Sequence, residues 1–143
     1  MRRLFSFFVI LALFANCKNK SSDEIKSSEK INAVKESKSP KETVQAYLSA
    51  TNHFDFETAK NFLITNKENQ MILETLKKME KSIPDKEKTR FLDKEKKASY
   101  FEKEITDSTA QIIVTPDMDA VMPIEFNLKK VKNDWLIESV ISH

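Results

Sequence analysis

The sequence predicts an α+β domain, and three observations carry that prediction. Apolar side chains recur at helical spacing from residue 39 to the low eighties, then alternate from residue 101 onward. Capping residues open the helical stretches, and short polar pairs separate the alternating ones. Helices first and antiparallel strands afterwards imply helices laid on one face of a sheet of about four strands.

The first helix is announced by Ser39-Pro40-Lys41-Glu42, in which an N-cap serine, a proline at the first helical position and a glutamate at N3 form a capping box. Behind it Val44, Tyr47, Leu48 and Thr51 follow i, i+3, i+4, i+7, which makes one face apolar. Asp55 caps a short second helix carrying Phe56, Ala59, Phe62 and Leu63. Thr65-x-x-Glu68 repeats the capping-box signature ahead of Met71, Ile72, Leu76 and Met79, and Pro84 stops that third helix. A charged stretch, 85–97, follows.

The alternating part holds Phe101 and Ile105, then Ala110, Ile112 and Val114, then Ile124, Phe126 and Leu128, then Trp135, Ile137 and Ile141. Each group is read as one strand with its apolar face turned inward. Asp107-Ser108 and Lys132-Asn133-Asp134 are the hairpin connections, and Pro116 and Pro123 bracket a longer loop.

Ahead of the domain the chain has a different character. Arg2 and Arg3 precede an apolar run over residues 4–15, which Lys18, Asn19 and Lys20 end well short of the roughly 20 apolar residues that a spanning helix needs. That is the layout of a secretory signal. The one cysteine, Cys17, sits at the switch from apolar to polar. Phe14-Ala15-Asn16-Cys17 resembles the lipobox of bacterial lipoproteins, with Phe14 and Asn16 where that family prefers Leu and a small residue. The resemblance implies cleavage between Asn16 and Cys17, attachment of lipid to Cys17, and a place in the cell envelope, at the outer membrane in preference to the inner, with the domain in the periplasm or at the cell surface. Two or three acyl chains anchor a protein durably, because each buried methylene contributes about 0.8 kcal/mol. Residues 18–38 are rich in Lys, Ser and Glu, too polar to offset chain entropy by burial, and read as a flexible tether with a reach on the order of 25 Å. The organisation is therefore signal 1–16, anchored tether 17–38, and one domain 39–143.

Composition removes several functions. The chain has 24 basic and 22 acidic residues, and loss of Arg2 and Arg3 with the signal leaves 22 of each, interleaved, which argues against nucleic-acid binding. There is no glycine, so the phosphate-cradling loops of P-loop and dinucleotide-binding proteins are excluded. A single cysteine permits no intramolecular disulfide, and stability has to come from the core. No cofactor is implied.

The stretch "SPKETVQAYLSATNHFDFETAKNFL" and the closing "FNLKKVKNDWLIESV" resemble small bacterial lipoprotein domains with a nuclear transport factor 2-like, or cystatin-like, fold. That resemblance implies a sheet curled round a helix into a cone, which serves as a filled core, a ligand pocket or an active site in different members.

Three constellations were candidates for chemistry. His53 and Asp55 are an acid-base couple of the sort that enzymes of this fold place in the cone, although Asp55 also serves as a helix cap. Asp117 and Asp119 begin like a calcium loop but lack its glycine and later glutamate, and two histidines, His53 and His143, do not make a zinc site, so no metal is expected. Tyr47, Phe62, Phe101, Phe126 and Trp135 line either a pocket for a small apolar ligand or simply the core. The expected function is non-enzymatic binding, of another envelope protein or of a small apolar ligand, with attachment to the membrane through Cys17. The alternative is an enzyme using His53 and Asp55.

Overall fold

The computed structural model describes residues 37–117 and 121–142. The element order is α1 Pro40–Asn52, α2 Phe56–Lys60, α3 Lys67–Ser82, α4 Asp85–Lys88, a 3-10 turn Lys94–Lys96, and strands β1 Ser99–Ile105, β2 Thr109–Thr115, β3 Ile124–Val131 and β4 Asp134–Ser142. The strands form one open antiparallel sheet in the order β1-β2-β3-β4. The α+β class and the four strands are therefore as the sequence predicts. Among the described residues no helix is long and apolar enough to cross a membrane.

The capping box of α1 forms as read, with the Glu42 backbone N–H donating to Ser39 Oγ and the Ser39 N–H donating to Glu42 Oε2 at 2.7 Å. The Ser39 N–H first, and then the Ser39 hydroxyl, hold the Glu42 carboxyl below the usual carboxylate range. The helix then ends without the residue that such an end prefers. The Asp55 N–H donates to the Ala50 carbonyl and the Phe54 N–H to that of Thr51, the paired bonds of a Schellman cap, and these require a left-handed residue between. With no glycine in the chain, Phe54 takes it at φ 59°. Asp55 caps α2 through Thr58, whereas α3 is capped by Asn66, which accepts from the Asn69 N–H at 2.7 Å, and not by Thr65 one residue earlier.

The core lies between α1–α2 and one sheet face. Val44, Tyr47, Ala50, Phe56, Ala59 and Leu63 from the helical side meet Ala110, Ile112, Val114, Phe126, Leu128, Trp135 and Ile137 from the strands. Burying the Val, Leu, Ile and Phe side chains among them stabilises the fold by roughly 1.5–3 kcal/mol each. The edge of β4 is closed by the connection from α2 to α3: Ile137 N–H donates to the Phe62 carbonyl, and Ile64 N–H to that of Ile137, both at 2.8 Å. Buried Asn69 secures it, its Nδ2 lying 2.8 Å from the Ile64 carbonyl oxygen and 3.1 Å from that of Ile137.

Two β-bulges change which residues face inward. In β1, Lys103 is an extra residue between Glu102, opposite Ile112, and Glu104, opposite Gln111. In β4, Glu138 is extra between Ile137, opposite Leu128, and Ser139, opposite Asn127. Each insertion reverses the alternation beyond it. Val140, and not Ile141, therefore stands opposite core residue Phe126, and Phe101 and Ile105 lie on opposite faces.

Candidate functional site

The five aromatics singled out from the sequence do not line one cavity. Tyr47, Phe126 and Trp135 are buried, and Tyr47 meets Phe126 edge-on with ring centroids 6.1 Å apart. They occupy the space between helices and sheet with the protein's own rings. Burial pushes the Tyr47 hydroxyl up to about 12. Phe62 is half-buried beside Trp135, at a surface cavity of about 330 Å³ that Lys38, Thr43, Asn61 and Asp134 also line. Phe101 is 63% exposed and lies on the far face of the sheet, opposite Ile113. Its inward placement, expected from alternation, is corrected by the structure: β1 contributes Tyr100 to the core side, opposite Val114.

His53 and Asp55 are not brought together as a couple. Asp55 Oδ1 accepts from the Thr58 N–H at 3.0 Å, and the Thr58 hydroxyl first, then this N–H, hold its carboxyl below the ordinary range. His53 Nδ1 is 2.8 Å from the Ser49 carbonyl oxygen, and Nε2 is 4.0 Å from Asp93 Oδ1. Asp93 is itself 2.7 Å from Lys96, the largest reason its carboxyl is lowered. With Asn52 donating to Glu95 at 2.7 Å, and the Phe54 ring edge-on to Phe91 at 5.9 Å, these contacts fasten the 85–97 segment onto the end of α1.

The face of the sheet turned away from the helices is built differently. Register places Phe101, Ile113, Glu125 and Ile141 directly opposite one another, one from each strand. Neighbouring strands lie roughly 4.8 Å apart, so the row spans on the order of 14 Å. Its ends are open, with Ile141 43% exposed. Its middle holds a carboxylate only 8% exposed, and Lys103 Nζ reaches back over β2 to within 3.3 Å of Glu125 Oε2. A second row, Glu104, Gln111, Asn127 and Ser139, runs parallel and is polar, with Asn127 Nδ2 donating to Ser139 Oγ at 3.2 Å. The outward face thus carries an apolar row interrupted by a paired carboxylate, with a polar row beside it.

Sequence reasoning missed Ile113, Glu125 and Lys103. The alternation of 124–129 does place Glu125 outward, but only the β1 bulge sends Lys103 to the same face. Among the described residues no group of three or more His, Cys, Asp or Glu is placed to hold a metal ion. Asn16, Cys17, Asp119 and His143 lie outside the described residues, as do the signal and most of the tether. Compared with known proteins, the chain matches no family model, no curated protein and no solved structure.

Proposed function

We propose that this chain is a non-enzymatic, lipid-anchored protein of the bacterial cell envelope whose α+β domain, of the nuclear transport factor 2-like kind, binds another envelope protein through the open sheet face. The observation that carries the reading is the row Phe101, Ile113 and Ile141 on the side of the sheet away from the helices, where Phe101 and Ile141 are exposed and none of the three joins the core among the described residues. Large apolar groups set in register across several strands mark an interaction surface when the opposite face already supplies the core. Rings of the chain itself fill the interior where an apolar ligand was the other expectation, which favours a protein partner.

The anchor follows from the lipobox-like residues 14–17 and the tether behind them. Cys17→Ser is expected to abolish labelling by a fatty-acid analogue and leave an uncut precursor; labelling that persists contradicts the anchor. The binding role is tested separately by native electrophoresis of detergent-solubilised envelopes. Wild-type protein is expected in a complex larger than itself, and Ile141→Glu, a change at an exposed position, is expected to return it to its own mass. Wild-type protein migrating alone, or an Ile141→Glu complex of undiminished abundance, overturns the proposal.

A further inference from the structure

The free edge of the sheet adds a statement about the partner's chemistry. Among the described residues β1 is paired with β2 alone, and its seven residues end the sheet. A strand edge with open N–H and C=O groups is a template for one more strand. Which strand it accepts is a matter of charge. Lys103 is engaged with Glu125 on the open face, so its charge is taken up within the sheet. Glu102 and Glu104 are both exposed, and neither has an ion-pair or hydrogen-bond partner for its side chain among the described residues. The bulge sends Glu102 to the helix-bearing side, opposite Ile112, and Glu104 to the open side, opposite Gln111. An added strand therefore meets one carboxylate on each of its faces, and meets exposed Phe101 on the open one.

The same carboxylates select against a second copy of this chain. Antiparallel self-pairing along the whole of Ser99–Ile105 sets Glu102 against its own counterpart, and like charges directly opposite destabilise a strand pair. We infer that the edge of β1 receives an extended cationic segment of the partner as a fifth strand, with a Lys or Arg reaching each of Glu102 and Glu104 and an apolar residue beside Phe101. The inference deepens the protein-binding reading and rests on it for the existence of a partner; the edge itself is testable without one.

The experiment is fluorescence anisotropy with the full chain in nonionic detergent and a labelled, capped peptide in which two adjacent Lys are flanked on both sides by Val, so that one Lys falls on each face of the added strand. The Lys peptide is expected to bind about tenfold more tightly than its Glu counterpart, the combined effect of attraction and repulsion at two cross-strand sites. N-methylation of alternate peptide amides is expected to abolish binding, because it removes backbone donors and leaves the charges in place. Glu102→Lys with Glu104→Lys, both at exposed positions and checked for folding by circular dichroism, reverses the preference. No binding of the Lys peptide, equal binding of the two peptides, binding that survives N-methylation, or a preference unmoved in the double variant each overturns the inference. The peptide reads the edge and native electrophoresis of the envelope complex reads the face, so failure of the face and failure of the edge are separate results.

Discussion

Phe54 shows what the absence of glycine does at a single residue. A left-handed conformation costs an L-residue roughly 1–2 kcal/mol, and the Schellman cap of α1 demands one at this position. The ring offsets part of that cost, packing edge-on against Phe56 and Phe91. The two contributions separate by substitution. Phe54→Gly and Phe54→Ala both lose the ring, yet the alanine variant is expected to be less stable by about 1 kcal/mol in urea unfolding, the reverse of the usual order in a helical segment. Equal stabilities contradict the left-handed assignment. Tyr47 makes a second residue-scale case. Its folded-state value is raised to about 12 from the ordinary 10.0, so the stability that burial confers on the neutral phenol is complete below pH 10 and is lost as pH rises toward 12. Tyr47→Phe is expected to unfold at the same urea concentration as wild type near neutral pH and to lose less stability between pH 10 and 12; parallel losses in the two proteins show that Tyr47 is not the group responsible.

At the scale of elements, legibility followed how local the cause was. The capping box of α1, the Asp55 cap and the Pro84 stop depend on residues a few positions apart, and all were readable. The cap of α3 was displaced by one residue because Thr65 and Asn66 are both good caps; Asn66 wins because its side chain also donates to the Glu138 carbonyl of β4. The bulges were not legible, since nothing in "FEKEI" or "LIESV" announces an extra residue, and without the bulge Ile141 continues the inward series of Trp135 and Ile137. Nor was the closing of the β4 edge, where Asn69 lies 68 residues from Ile137. Asn69→Ala leaves the carbonyls of Ile64 and Ile137 without this buried donor and is expected to cost about 2–3 kcal/mol, with faster hydrogen exchange at the Ile64 and Ile137 amides. A loss within a few tenths of a kcal/mol contradicts the bracing role.

For the whole molecule, the sequence carried the α+β class and its strand count, while the candidate site was only half visible in it. Plain alternation puts Phe101 on the wrong side of the sheet, and only the strand register identifies its partners in the row. The face matters because of the proposed arrangement as a whole: a lipid at Cys17, a polar tether, and a domain whose helices are occupied with its core while its sheet looks outward. The most direct measurement places a photo-reactive benzophenone amino acid at Ile141 on the open face and, as a control, at Lys132 in the exposed β3–β4 turn, and irradiates intact cells. The account predicts a discrete cross-linked protein from Ile141 and none of that mass from Lys132. Cross-linking from Ile141 that is absent, or matched in mass and yield at Lys132, contradicts it.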